Sequence, residues 1–279
     1  VSLPRLILEP LVRATLEEDM GGAGDITSAA CIPKGTRVRC VMRARVQGVL
    51  AGIDCAALAF ELAGPTLRVE VVDGEGASVA PGRVVLTVQG DARAILAAER
   101  TALNFVTHLS GVATLTRAYV RAVEGTGALI APTRKTLPLL RAVQKAAVVA
   151  GGASPHRFGL GDAVLIKDNH VAAAGGVAKA VEAARRCAGH MTIISVEVDT
   201  LAQLDEALTA GPHVILLDNF SLEDLKAAVG RARGKAVLEA SGGVNLQTVR
   251  AIAETGVDVI SVGALTHSAP ALDFGLDFE

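Results

Sequence analysis

The sequence predicts an α/β protein in which a parallel sheet of about six strands follows a smaller sheet-and-helix region. Short apolar runs recur at 127–130, 163–166, 192–198, 213–217, 235–238 and 257–262. Amphipathic stretches such as 201–208 and 222–229 separate them, which is the alternation of a βα series. The character of the chain also changes near residue 125: before it, strand-like runs are parted by turns rather than by regular helices. Right-handed crossovers let a parallel sheet curl into a barrel, and a doubly wound open sheet satisfies the same pattern.

In chain order, residues 6–18 read as an amphipathic helix. The stretch 38–50 alternates like a strand pair, with Arg and Gln interleaved among Val, Met and Leu. Further strands are predicted at 67–72 and 84–88, set off by the turn-rich Asp73-Gly74-Glu75-Gly76 and Pro81-Gly82. Asp91 is placed to cap a long helix whose apolar residues include Ile95, Leu96, Leu103 and Val106.

Bulk properties narrow the function classes. The hydrophobic fraction of 51% rests largely on Ala and Val, which suits close packing of helices on strands. No uninterrupted run of about 18 apolar residues indicates a membrane span. The start Val1-Ser2-Leu3-Pro4-Arg5 lacks the layout of a secretory signal. Four cysteines, Cys31, Cys40, Cys55 and Cys187, show no CxxC spacing, so reduced thiols in a cytoplasmic protein are expected. A formal charge of −2 argues against a chain built mainly for nucleic acid. Within 131–170, however, Arg134, Lys135, Arg141, Lys145, Arg157 and Lys167 face only Asp162 and Asp168, as in a pocket for a small polyanion or a solvated basic face.

Each predicted strand of the second half runs into polar or glycine-rich residues. The first leads to Thr133-Arg134-Lys135, the second to Lys167-Asp168-Asn169-His170, the third to Glu197 and the fourth to Asp218-Asn219. The last two lead to Glu239-Ala240-Ser241-Gly242-Gly243 and to Gly263-Ala264-Leu265-Thr266-His267. Parallel α/β folds gather such ends on one active face. Ser241, Gly242, Gly243, Gly263 and Ala264 each sit before a predicted helix, an arrangement that suits phosphate through approachable backbone N–H groups and the helix dipole. Alternation puts Ser195, Glu197 and Asp199 on one side of a strand. Glu197 and Asp218 are candidates for holding Mg²⁺ or ribose hydroxyls, or for stabilising positive charge at a sugar carbon; a salt bridge or helix cap is the plainer role. Lys167, after an apolar run, is expected to be partly enclosed and to meet an anion. His156-Arg157 lies in a glycine-flanked loop suited to substrate contact. His108, His190 and His213 are expected to be structural or exposed, and His170 to be a ligand, a supporting residue or a cap. No His/Cys spacing suggests structural zinc.

Taken in order, Gly24-Asp25-Ile26-Thr27-Ser28, Glu99-Arg100-Thr101-Ala102-Leu103-Asn104, Thr133-Arg134-Lys135-Thr136, His156-Arg157, Leu165-Ile166-Lys167-Asp168-Asn169-His170, Leu217-Asp218-Asn219-Phe220, Ser241-Gly242-Gly243 and Val262-Gly263-Ala264-Leu265-Thr266-His267 resemble the quinolinate phosphoribosyltransferase family. The resemblance covers nearly the whole chain. It implies an N-terminal α/β sandwich over 1–112, an incomplete α/β barrel of about six parallel strands over 113–266, and a tail, 267–279, returning to the first domain. It implies transfer of phosphoribosyl from phosphoribosyl pyrophosphate to quinolinate with decarboxylation, and Mg²⁺ as cofactor. It also implies a homodimer or a larger assembly of dimers, up to a hexamer, in which Arg100 completes the neighbouring site. Arg134, His156, Arg157 and Lys167 would clamp the two carboxylates, and Lys135 would meet the pyrophosphate. Glu197 and Asp218 would hold ribose and metal. Ser241, Gly242, Gly243, Gly263 and Ala264 would take the 5′-phosphate, with His267 nearby.

The chain departs from the family pattern at Pro132, Leu139, Ala146, Val149 and Ser195. A related phosphoribosyltransferase for a different aromatic acid, or a non-catalytic phosphate-ligand protein, is the alternative these changes leave open.

Overall fold

The fold is a computed structural model that describes residues 2–279. The chain forms two compact units. The first takes the described residues up to Arg117 together with Leu137–Gly152 and Leu265–Glu279; the second takes Ala118–Thr136 and Ala153–Ala264.

The chain opens with helices α1 (Arg5–Met20) and α2 (Ile26–Cys31), followed by strands β1 (Arg37–Ala44) and β2 (Gly48–Val49). Next come α3 (Ile53–Ala63), β3 (Arg68–Val71), β4 (Ser78–Val79), β5 (Val84–Asp91) and the long helix α4 (Ala92–Ala122). Leu8, Val12 and Leu16 are the buried residues of α1, spaced four apart on one face, as the amphipathic reading requires. Asp91 does cap α4: its Oδ1 accepts the Ala94 N–H at 3.1 Å. The 38–50 stretch does hold two strands, but they do not pair with each other. β1 pairs antiparallel with β5, while β2 pairs with β4 in a separate two-stranded sheet. Alternation marks a strand without naming its partner.

After α4 come β6 (Leu129–Ala131), α5 (Arg141–Ala150), β7 (Val164–Ile166), α6 (Asp168–Ala174), α7 (Val177–Cys187) and β8 (Ile194–Val198). The series continues through α8 (Leu201–Ala210), β9 (Val214–Asp218), α9 (Leu222–Ala232), β10 (Val237–Ser241), α10 (Val249–Ala253) and β11 (Val259–Ser261). It ends with α11 (Ala264–His267) and β12 (Phe274–Phe278).

In the first unit, β12 pairs antiparallel with β1 and completes a sheet in the order β12-β1-β5-β3. Arg39 and Arg43 pair with Glu279, and Arg45 with Asp277, along this exposed seam. Exposed pairs of this kind add little stability; backbone pairing and the buried Phe274 do more. Close approach of the tail to α4 depends on Gly111, where a Cβ would lie 2.0 Å from the Pro270 carbonyl oxygen.

In the second unit, six parallel strands run in the order β6-β11-β10-β9-β8-β7. From β7 to β11 each strand lies beside its sequence neighbour, with no reversal. A doubly wound sheet needs a switch point where the order turns back; a barrel winds one way only. β6 and β7 stand at opposite edges although they are consecutive strands, so the ring is open there, and six strands take the place of eight. The incomplete barrel is therefore the architecture, and two of its crossover helices, α8 and α9, start on side-chain caps. Thr200 Oγ1 accepts the Gln203 N–H at 3.2 Å, and Ser221 Oγ accepts that of Asp224 at 3.1 Å.

Candidate active site

All six carboxyl ends of the second unit's strands share one rim. β8 buries Ile194, Val196 and Val198 and leaves Ser195 and Glu197 half-buried on the other face. Its neighbour β9 ends at Asp218, which pairs in register with Ser241 of β10. Side chains of Glu197, Asp199 and Asp218 thereby bring one carboxylate oxygen each within 4.8 Å of the others. Burial raises the Glu197 carboxyl above its ordinary value; Lys167 opposes that shift, and Asp218, Asp168 and Asp199 reinforce it. Three hard oxygen donors at this spacing suit a cation such as Mg²⁺ and offer nothing to a thiophilic metal. Asp199, noted from alternation but not proposed as a ligand, joins the group because the strand carries it to the same side.

Lys167 lies close enough to act on Glu197, but it is exposed rather than partly enclosed. It follows β7, the edge strand at the open side of the barrel, where no further strand covers it. His170 serves as a cap, its Nδ1 accepting the Lys167 N–H at 3.0 Å. His213, exposed, similarly accepts the Ile194 N–H at 3.0 Å. In the first unit, His108 Nε2 lies 2.8 Å from Gln144 Nε2, and burial lowers its pKa. Those two histidines are structural, as expected.

The cations gather where the two edges of the barrel face each other. Thr133 Oγ1 accepts the Lys135 N–H at 3.0 Å and tightens the turn after β6. Arg134 is half-buried, and its Nε makes no hydrogen bond among the described residues. The loop before β7 is turned by Asp162, which accepts from the Phe158 and Gly159 N–H groups. Arg157 donates to the Ala163 carbonyl at 3.3 Å. Burial, and then the neighbouring charge of Arg134, pull the Arg157 guanidinium below its ordinary value, while Asp162 and Glu239 act in the opposite direction. His156 places Nε2 3.3 Å from Oε1 of Glu239, a β10 carboxylate that is only 5% exposed. Beneath them lies a cavity of about 400 Å³ lined by His156, Arg157, Leu165, Ser195, Val214 and Glu239. Glu239 was visible in the sequence only as part of a strand end. Its one signal is a charge inside the apolar Val237-Leu238-Glu239-Ala240, and no spacing rule connects it to His156.

The two glycine loops stand side by side, because β10 pairs with β11. Gly242 has φ +92°, and a Cβ there would sit 2.1 Å from Asn219 Oδ1. Asn219, itself at φ 55°, donates its backbone N–H to the Ser241 carbonyl at 2.9 Å and its Nδ2 to Asp218 Oδ2 at 2.7 Å. It thus ties the acid rim to the glycine loop, a role that was not assigned from the sequence. The helix expected directly behind Ser241-Gly242-Gly243 is absent. Asn245 Oδ1 first accepts the N–H groups of Gln247 and Thr248, and α10 begins only at Val249. Turn chemistry at Asn245 outcompetes the helix there. Behind Gly263, by contrast, α11 starts at once with Ala264. Two further predicted residues belong to the first unit: Arg100 is exposed on α4, and exposed His267 has Nδ1 2.6 Å from Ser268 Oγ.

Fold and site together define a parallel-barrel enzyme for anionic substrates. Residues 25–110 match the quinolinate phosphoribosyl transferase N-terminal domain, and 112–277 match the C-terminal domain of the same family. A nicotinate-nucleotide pyrophosphorylase (carboxylating) of Mycobacterium leprae is 50% identical over 277 residues, 95% of each chain. A quinolinate phosphoribosyltransferase (decarboxylating) of Nicotiana tabacum is 39% identical over 99% of this chain and 83% of its own. The solved nicotinate-nucleotide pyrophosphorylase of Francisella tularensis superposes with a TM-score of 0.95 at 38% identity, covering 100% of this chain and 98% of that one. The chain belongs to the quinolinate phosphoribosyltransferase family. No helix among the described residues is long and apolar enough to cross a membrane.

Proposed function

We propose that this protein joins quinolinate to the anomeric carbon of phosphoribosyl pyrophosphate and decarboxylates it, giving nicotinate mononucleotide, pyrophosphate and CO₂ for NAD synthesis. The observation that carries this reading is the division of the second unit: clustered cations at the open edge, and an acidic rim beside paired glycine loops. Two polyanions held side by side need that division, since the cations take the carboxylates while the acids meet sugar hydroxyls and metal.

Arg134, His156 and Arg157, with Lys167, hold the two carboxylates and aim the pyridine nitrogen. Lys135, exposed beyond the Thr133 turn, meets the pyrophosphate. Ser241, Gly242, Gly243, Gly263 and Ala264 offer backbone and hydroxyl hydrogen to the 5′-phosphate, with His267 assigned nearby by resemblance. Glu197 and Asp218, with Asp199 beside them, would hold Mg²⁺, which when bound neutralises charge on the departing pyrophosphate. Glu197 also faces the positive charge that builds on the anomeric carbon as the C–O bond to pyrophosphate breaks and the N–C bond forms. When the adjacent carboxylate departs as CO₂, the electron pair of the broken bond stays on the ring carbon, stabilised by the cationic nitrogen beside it. That carbon then takes a proton. No covalent nucleophile is required.

Purified protein mixed with quinolinate, phosphoribosyl pyrophosphate and Mg²⁺ is expected to yield CO₂ and nicotinate mononucleotide in equal amounts. Binding of phosphoribosyl pyrophosphate without either product would refute the assignment of quinolinate as substrate.

Arg100, exposed on α4, is assigned to the site of a second copy in a homodimer or an assembly of dimers. Mixing the inactive variants Arg100→Ala and Lys135→Ala is then expected to restore part of the activity, because one of the two hybrid sites keeps both native residues. Mixtures that stay as inactive as their components after subunit exchange would place Arg100 outside the neighbouring site.

A further inference from the structure

Glu239 has no part in the mechanism above, yet it is the most deeply buried acid near the cations. It is the third residue of β10, two positions before Ser241, so both side chains point to the same face. Two residues along a strand correspond to about 6–7 Å, which puts Glu239 a full step below the rim where substrate is held. It lines the same cavity as His156 and Arg157, and its Oε1 lies 3.3 Å from His156 Nε2. Its strand neighbours Leu238 and Ala240 are buried and apolar and cannot compensate its charge.

Arg134 and Arg157 carry like charges on opposite edges of an open barrel. Their repulsion opposes assembly of the pair; Asp162 offsets it at Arg157 from the loop, and Glu239 adds a second countercharge on the barrel side. A fixed carboxylate beneath them lowers that repulsion before binding and restrains the imidazole at the same time. We propose that Glu239 is a positioning residue that pre-assembles His156 and Arg157, beside Arg134, into a receptor for two adjacent carboxylates. It acts through those side chains and does not touch the substrate. The inference rests on the quinolinate reading above and deepens it, since it concerns how the diacid is selected.

Steady-state kinetics on Glu239→Gln and Glu239→Asp, varying each substrate in turn, tests the idea. Glu239→Gln keeps the shape and removes the charge. It is expected to raise KM for quinolinate at least tenfold, with KM for phosphoribosyl pyrophosphate within twofold of the unmodified protein and the melting temperature little changed. Glu239→Asp keeps the charge one methylene further away and is expected to show a smaller rise. A purely structural role would move both KM values together or lower only the active fraction, and either outcome overturns the proposal. So does an unshifted KM for quinolinate in Glu239→Gln, or an equal defect in the two variants. Should Glu239→Gln fail to fold, Glu239→Asp decides alone: a rise confined to quinolinate supports the role, and an equal rise for both substrates removes it. An unmodified protein that makes no product from quinolinate would overturn the functional reading itself. Normal turnover beside an unshifted Glu239→Gln would overturn only this inference.

Discussion

Glu197→Gln is expected to lower kcat by about 10²–10³-fold, the size of effect seen when one pre-aimed electrostatic contact to a transition state is lost. The variant should nevertheless be at least as stable as the parent at neutral pH. Burial holds the Glu197 carboxyl above its ordinary 4.5, with Asp218, Asp168 and Asp199 adding to the effect against Lys167. A carboxyl raised on folding favours the native state while protonated, and that contribution is lost as pH rises through its folded value. At neutral pH the ionised group therefore strains the fold, and Gln removes the strain along with the activity. Thermal melts at neutral and mildly acidic pH should show the difference between parent and variant narrowing as pH falls. An active Glu197→Gln enzyme, or one plainly destabilised at neutral pH, would contradict the role given to this residue.

Gly242→Ala is expected to reduce kcat/KM for phosphoribosyl pyrophosphate by about 10–100-fold, corresponding to about 1.4–2.8 kcal/mol. The backbone at φ +92° already disfavours any side chain, and the new methyl would sit 2.1 Å from Asn219 Oδ1 and 3.0 Å from its backbone nitrogen. Asn219 can rotate away only by breaking its 2.7 Å bond to Asp218, and its backbone cannot move without disturbing the 2.9 Å bond to Ser241. One added carbon thus disturbs both the glycine loop and the acid rim. Global stability should change far less than activity, because Gly242 lies on a loop rather than in the core. Kinetics with both substrates varied, alongside a thermal melt, checks this; a variant with normal kinetics would show that the loop tolerates the displacement and does not cradle phosphate.

Much of this protein could be read from its residues, because local rules act over a few positions. The βα alternation, the cap at Asp91, and the period-two face holding Ser195, Glu197 and Asp199 follow from spacing alone. Pooling of functional residues at strand ends follows from parallel topology, which any right-handed βα series imposes. Partnership between distant segments is not encoded in spacing. Whether 38–50 formed a hairpin, whether the sheet closed or opened, and which edge Lys167 would occupy depended on strand order, which packing of the whole unit decides. Asn219 interlocks with Gly242 because β9 and β10 pair directly, and His156, just before β7, meets Glu239 of β10 although two strands lie between β7 and β10 in the sheet. The sequence by itself determined the inventory of cations, acids and glycines and the edge of the sheet they share. The tertiary structure decided which charge faces which, since electrostatic energy depends on separation in space and burial, and neither is a property of position along the chain.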